Sequence, residues 1–466
     1  MINSMTMRYI KSTIIVLSAV VGAACQQYLD IKPYGQTIPE TAEEFSALLH
    51  NMLYDMDYNT DNYIMSTSSD MVYMECYADN LATSLTVYPT GNQLPLYIGS
   101  NLSGKQSLYS HSYENIRNCN IIIGYMEERD SDEAHDILAA AHAIRGVCYY
   151  NLLRDFCQPC NPQNPPAGLV LISEFDMEAR PVRSSYAATV RFIERDLQTA
   201  ISYDLQNEIY RFTPDVVRGY LARLYFWAEE YGSAAKVAAE VLENHPLLEG
   251  EEYTAMFGSN RRSGNMLIKT GIYSSSGTST GNSALMNYLS SRPCSKQFFE
   301  LFREKERDIR YAMSVDIARK AVKRGLSCLR SAELQLILAE SLLHEGDTEG
   351  ALRELNALRA KRIEGVEPYT PATLPPVDGS DLIKVDAKGD ELTPLLYAIL
   401  TERRKELFME GDRWYELKRN GRPEFWVPRQ GMKYTTLSYM YTFPIEATDV
   451  QLTPGLEQNP GYDRME

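Results

Sequence analysis

The chain has 466 residues, 44% hydrophobic and 23% charged, with a formal net charge of −16. That length suits about three ordinary domains or one large repetitive body, and the acidic balance excludes a general nucleic-acid binder, which needs a basic surface. A mean hydropathy of −0.33 excludes a polytopic membrane protein. The aromatics are lopsided, 32 Tyr against 13 Phe and 3 Trp, a composition that favours wet interaction surfaces because tyrosine pairs an apolar face with a polar tip.

Residues 1–24 carry no acid and only two charges, Arg8 and Lys11. An apolar run from Thr13 to Val21 follows, then Gly22, Ala23, Ala24 and Cys25. A basic start, a short apolar stretch and small residues describe a secretory signal. The run is too short to span a bilayer, for which roughly 20 residues are needed. The Cys directly after the small residues resembles a bacterial lipobox, with Gly22 where a Leu is usual. Cys25 is therefore the expected lipidation site and first mature residue, and acyl chains there would hold a water-facing body at a membrane. The alternative is an ordinary signal peptide followed by a chance Cys. The other seven cysteines are irregularly spaced and form no disulfide framework. Cys157 and Cys160 make a lone CxxC in a Pro-rich stretch, read as a local disulfide or two free thiols.

Amphipathic periodicity predicts a helix from Pro39 to about Met56. Residues 57–110 differ in kind, with Tyr58, Tyr63, Tyr73, Tyr77, Tyr88, Tyr97 and Tyr109 among Asn, Ser, Asp and Gly. Irregular segments of that length are functional or disordered. Helices are predicted at 113–128, 132–155 and 186–203. In 215–246, Leu221, Ala222, Tyr225, Tyr231, Ala234, Val241 and Pro246 fit a tetratricopeptide-type helix pair, with Ala238 where a larger residue is usual. The same frame fits 332–363 through Leu338, Ala339, Leu342, Ala351, Leu355 and Leu358. The frames are not a whole number of repeats apart, so they are not tandem. Between them lies a loop-like insertion, roughly 247–325, with Tyr273, Tyr288 and a short helical piece at 298–302. A long amphipathic helix is predicted over Pro394–Arg419, and the tail 420–466 shows no helical period.

Signatures of chemistry are scarce. Phosphate-loop, dinucleotide and zinc-protease motifs are missing, and the six histidines are scattered. Gly277, Ser279 and Gly281 spell a G-x-S-x-G string inside a Ser/Thr/Gly-rich stretch, which reads as a flexible loop rather than a nucleophile elbow. The charges of Glu402 to Glu406, with Glu410 and Arg413, read as a solvated or salt-bridged helix face. No metal or cofactor is expected.

The same C-terminal residues carry a family resemblance. Glu402-Arg403-Arg404-Lys405-Glu406-Leu407, Glu410-Gly411-Asp412-Arg413-Trp414 and Leu417-Lys418-Arg419 resemble the E-R-R-x-E-L…E-G-x-R-W…L-x-R helix of the SusD/RagB nutrient-binding lipoproteins. Phe443-Pro444-Ile445 and Gln458-Asn459-Pro460-Gly461-Tyr462 are similar to that family's ending. Tyr28-Leu29-Asp30, Asn120, Arg145-Gly146, Asp196-Leu197, Asp308-Ile309-Arg310 and Glu340 extend the match in order. The resemblance implies an all-α fold: a SusD-like, tetratricopeptide-like helical scaffold with long irregular inserted segments. The signal peptide would cover 1–24 and a single body 25–466. Its helix pairs would lie at about 113–246 and 331–419, with ligand segments at about 57–110 and 247–310.

The resemblance also implies a non-enzymatic lipoprotein of the Bacteroidota outer membrane, facing outward beside a SusC-like TonB-dependent transporter. A single acid, Asp30, stands after the Cys where the family often has an acidic cluster. The ligand would be an oligosaccharide, or a peptide as in the RagB-like branch. A non-binding helical adaptor and a surface glycosidase are the remaining alternatives. Sugar rings stack apolar faces on aromatics while their hydroxyls need polar partners. Tyr73, Tyr77, Tyr97, Tyr273 and Tyr288 are the candidate platforms, and Asp70 and Asn80 the candidate hydrogen-bonding partners.

Overall fold

A computed structural model describes residues 39–57, 62–82, 106–174, 176, 178, 180–258, 264–270, 293–429 and 432–462. Its helices are α1 (Ala42–Asp57), α2 (Ser68–Tyr77), α3 (Gln106–Tyr125), α4 (Asp132–Phe156), α5 (Tyr186–Tyr203), α6 (Pro214–Trp227), α7 (Tyr231–Asn244), α8 (Gly250–Gly258), α9 (Lys296–Glu300), α10 (Ile309–Ser314), α11 (Ser331–His344), α12 (Thr348–Ala360), α13 (Pro394–Glu406), α14 (Asp412–Arg419) and α15 (Ala447–Leu452). The strands form three separate antiparallel pairs: β1 (Ala167–Val170) with β2 (Arg183–Ser185), β3 (Met266–Lys269) with β4 (Cys328–Arg330), and β5 (Phe425–Arg429) with β6 (Met432–Thr436). The fold is all-α in class, as expected.

Local chemistry sets the helix ends. Ser131 accepts from the Ala134 amide at 3.2 Å to cap α4, and Asp132 and Glu133 sit where the helix dipole favours acids. Pro214 opens α6 in the one turn that needs no amide hydrogen. Helix α4 is buried along most of its length, including Ala139, Ala140, Ala141, Ile144 and Val147. It packs against α1, α3 and α5. A Cβ on its Gly146 would stand 2.8 Å from Leu197 of α5, so these helices cross too closely for a side chain there.

Packing runs in order: α3 on α4, α4 on α5, α5 on α6, α6 on α7, α7 on α11, and α11 on α12 and α13. The two helix pairs read from the sequence are α6–α7 and α11–α12. They are neighbours in space although a long insertion separates them in the chain. Strands β3 and β4 close that insertion at its base, with Ile268 opposite Leu329 and Lys269 opposite Cys328.

Two expectations are corrected. The helix predicted over 394–419 is two helices, broken where Met409 and Gly411 take φ of +65° and +75°. Gly411 is required there, since a Cβ would lie 2.7 Å from Met71 Sδ of α2. Arg403 spans the break, gripping Asp412 with two hydrogen bonds of 2.8 and 2.6 Å. The tail, read as having no helical period, contains the short helix α15 beside the β5–β6 hairpin. Its terminal motif pins it to the core: Asn459 Nδ2 donates to the carbonyls of Phe156 and Phe443, and Gln458 bonds both the amide and the carbonyl of Ile445. Among the described residues no helix is long and apolar enough to cross a membrane.

Candidate functional site

The two candidate ligand segments meet at their roots. Leu81 pairs with Cys294 as an antiparallel bridge. The Ala82 amide donates to the Pro293 carbonyl at 2.8 Å, and the Ser295 amide donates to the Asn80 carbonyl at 2.7 Å. Beneath this junction lies a small apolar core drawn from three parts of the chain. Val72, Cys76 and Leu81 come from the first segment, Cys294, Phe298 and Phe302 from the second, and Phe408 and Met409 from the C-terminal motif.

Buried charge fixes the junction to α13 and α14. Arg404 Nε donates to Asn80 Oδ1 at 2.7 Å, and Asn80 Nδ2 donates to Glu75 at 2.9 Å. Glu75 also accepts the Met409 amide at 2.8 Å, in the strained break between the helices. Arg413 holds Asp79 through two bonds of 2.8 and 3.0 Å and reaches Asp381 at 2.9 Å. Burial pushes the Glu75 carboxyl up to about 7 against its two hydrogen bonds. For Asp79, burial acts in the same sense, but Arg404 and Arg413 outweigh it and hold the carboxyl below its ordinary range.

On the far side of α13, Glu406 is a hub. It takes hydrogen bonds from Arg310, Arg330 and Arg362 at 3.3, 2.7 and 3.0 Å, and from Tyr253 Oη at 3.2 Å. Glu402 binds Arg310 and Lys405, and Glu410 binds Lys323 and Arg330. Burial opposes ionisation of Glu406, yet Arg362, Arg330 and Arg310 together drive its carboxyl well below the usual range. The charged run is therefore salt-bridged, as one sequence reading had it, but it is interior rather than solvated: Glu402, Arg403, Arg404, Lys405 and Glu406 are all buried.

The candidate ligand residues separate. Tyr77 is 2% exposed and stands edge-on to Trp414 at 5.8 Å, and Trp414 stacks on Tyr441 at 4.4 Å. Tyr77 is thus a core side chain and presents no face to a ligand. Asn80 is fully buried, and the bonds to Arg404 and Glu75 make it a fastener of the junction. Asp70 closes a capping box with Thr67 at the start of α2. Tyr73 is half-buried and stacks on Tyr77 at 6.3 Å, the outer end of an aromatic ladder rooted in the core. Tyr97, Tyr273, Tyr288 and Cys25 lie outside the described residues, as does the G-x-S-x-G string.

Sequence reading missed Glu75, Asp79, Arg330, Arg362 and Asp381, charges whose partners lie far along the chain, and it named Arg310 only within the family match. It also did not pair Tyr63 with His111, exposed rings stacked at 3.9 Å. Cys157 and Cys160 are free thiols, raised by burial to about 11 and about 12. Among the described residues no group of three side chains suits a metal ion.

Comparison with known proteins agrees with this fold. A family model described as "Starch-binding associating with outer membrane" matches residues 27–226, and one described as "SusD family" matches residues 317–462. Together they cover more than half of the chain. A solved SusD superfamily protein from Bacteroides thetaiotaomicron superposes with a TM-score of 0.67 at 21% identity, covering 90% of this chain and 100% of that one. A SusD-like carbohydrate binding protein from Bacteroides vulgatus gives 0.65 at 18% identity, over 90% and 98%. A SusD superfamily protein from Bacteroides fragilis gives 0.68 at 16% identity, over 90% and 100%. No curated protein matches the chain.

Proposed function

The chain belongs to the SusD/RagB family, and from that premise we propose that it captures oligosaccharides at the outer membrane and passes them to a SusC-like TonB-dependent transporter. The observation that carries this reading is the hydrogen-bonded junction of Leu81–Ala82 with Pro293–Cys294. It brings the roots of the two segments that place tyrosine among small polar residues to one place, where a ligand would meet both. Tyr73 supplies one aromatic face at that base, and we assign Tyr97, Tyr273 and Tyr288 to ligand binding as well. Asp70 is assigned a polar contact beside Tyr73. A lipid on Cys25 would hold the body at the outward side of the membrane.

Binding without hydrolysis is favoured because the carboxylates that converge, Glu402, Glu406 and Glu410, are buried against arginine and lysine. The RagB-like alternative, peptide capture, draws support from tryptophan: Trp227 and Trp414 are core residues, and Trp426, 53% exposed, sits on the β5–β6 hairpin.

The test is a glycan array run beside a peptide-pool capture with residues 25–466. Glycan binding with the intact sugar recovered after long incubation supports the proposal. Peptide capture alone transfers it to the RagB-like branch, cleaved sugar replaces it with a glycosidase, and a transporter complex that binds neither leaves an adaptor.

A further inference from the structure

The junction of the two segments has a third strand. Val315 pairs with Ala321 in a short hairpin, and Lys320 on its return strand pairs with Pro293. The Cys294 amide donates to the Arg319 carbonyl at 2.5 Å, and the Val322 amide donates to the Ser314 carbonyl at 2.8 Å. At the tip, Asp316 Oδ1 accepts the amides of Ala318 and Lys320 at 2.9 and 2.7 Å, which engages that carboxylate in the turn. Side chains alternate across such a ladder. Leu81, Cys294 and Val315 point into the small apolar core, so Pro293, Lys320 and Val322 belong to the opposite, outer face. Lys320 and Val322 are exposed there.

Beside that face lies a pocket of about 260 Å³. Phe257 from α8, Met313 from α10, Val322 and Leu326 give it apolar walls. Lys323 and Arg324 are its charged residues, and among the described residues no acid lines it. Val322 belongs to both surfaces, so the pocket adjoins the outer face of the junction. Residues 317–326 hold four cations, Arg319, Lys320, Lys323 and Arg324, and no acid, in a chain of net charge −16. Lys323 is taken by Glu410 at 2.6 Å. Lys320 and Arg324 are exposed and Arg319 is half-buried. Neither Lys320 nor Arg319 forms an ion pair with a described carboxylate. Against these three cations the hairpin sets one acid, Asp316, already engaged by two amides.

We propose that this surface selects an acidic oligosaccharide: a sugar ring bearing a carboxylate or sulfate ester sits in the pocket, and Lys320 and Arg324 hold the anionic groups. This narrows the substrate class of the glycan capture proposed above, on which it rests. Lysine and arginine only donate hydrogen bonds, and a carboxylate or sulfate only accepts them. The hydroxyls of a neutral sugar donate as well as accept, and the lysine and arginines here give them donors alone. The pocket is smaller than a drug-sized site and suits one ring, whose C–H faces meet Phe257, Met313 and Val322. Salt screens charges beyond about 10 Å at 0.1 M, so a ligand at this face meets the local cations rather than the net charge of the body.

A glycan array with neutral, uronate-bearing and sulfated chains, probed with residues 25–466, is expected to return acidic hits, and uronate against sulfate tells which anion the site takes. Calorimetry then compares the best acidic hit with its methyl ester or desulfated form. The acidic form is expected to bind about tenfold tighter, an advantage that shrinks in about 0.5 M salt. Lys320→Gln and Arg324→Gln, both at exposed positions, should each weaken the acidic form about three- to tenfold and the neutral form less, so that the ratio falls. Hits confined to neutral chains, equal affinity of the two forms, or full affinity in both variants overturns the proposal and leaves glycan capture standing. An array without hits defeats glycan capture as well.

Discussion

Arg404 and Asn80, 324 residues apart in the chain, are joined by a 2.7 Å hydrogen bond, and Asn80 passes the connection on to Glu75 at 2.9 Å. A family motif at the C-terminus thus holds the foot of an N-terminal segment, and through the Ser295–Asn80 bond it holds the second segment as well.

Arg404→Met should loosen that foot without unfolding the body. The expected outcome is faster amide hydrogen exchange at Ala82 and Ser295, with α4 and α6 unchanged, and weaker ligand binding. Unchanged exchange at those two amides would show that Arg404 does not hold the junction.

Glu406→Gln removes the common partner of Arg310, Arg330 and Arg362; Arg310 keeps Asp308 and Glu402 and Arg330 keeps Glu410, but the buried Arg362 loses its carboxylate. Breaking a buried pair from one side costs about 3–5 kcal/mol, and that loss should appear in urea unfolding. A loss under about 1 kcal/mol would show the network to be solvated in solution.

Tyr73 and Tyr77 should part company. Tyr73→Ala is expected to weaken oligosaccharide binding by about 1–2 kcal/mol with little change in stability. Tyr77→Ala, which empties a core position against Trp414, is expected to cost about 3–5 kcal/mol of stability. Titration calorimetry and denaturation on both variants separate the roles, and the reverse pattern would move the ligand face elsewhere.

Stability should peak on the acid side of neutrality. Glu402 and Glu340 lie near 2: burial opposes ionisation, but Lys405 and Arg310 prevail at the first and Arg419 at the second. Their contribution is complete above about pH 4.5 and is lost as pH falls toward 2. Glu75 behaves oppositely. Its carboxyl is raised to about 7 by burial, so its contribution is complete below about pH 4.5 and is lost as pH rises through 7. Glu416 shifts the same way. Buried Lys418, lowered to about 7, adds stability with rising pH above that point, so the comparison belongs between about pH 5 and 7. Glu75→Gln should flatten the decline across that window, and an unchanged slope would remove Glu75 as its source.

Gly411→Ala places a side chain at φ +75° against Met71. A cost of about 1–2 kcal/mol from the backbone alone is expected, and the contact adds to it. Thermal unfolding reads the loss; a neutral effect would mean that the α13–α14 break relaxes.

Helices with one apolar face were legible in the sequence, and α5 runs from Tyr186 to Tyr203 as its periodicity indicates. The spacing of Leu221, Ala222 and Ala234 located α6 and α7 for the same reason. Spatial adjacency of α7 and α11 was not legible, because periodicity says which face is buried and not what covers it. The charged run misled in a related way. Glu402 to Glu406 point around the whole helix, a pattern that fits exposure unless the partners, Arg310, Arg330, Arg362, Asp79 and Asp381, are already known to converge there. In the site, tyrosine among small polar residues marked the two segments but did not distinguish Tyr73 from Tyr77, four residues away on one helix, where depth rather than residue type separates their roles.

The Glu406 hub also bears on timing. Arg310, Arg330 and Arg362 leave the ribosome before the carboxylate that neutralises them, and Arg404 and Arg413, which fasten Asp79, come still later than the segment they secure. Until α13 and α14 exist, Arg330 and Arg362 lack the carboxylates they meet in the native body, Arg310 has only Asp308, and the first segment lacks Arg404 and Arg413. Completion of the native body is therefore deferred to the final stretch of synthesis.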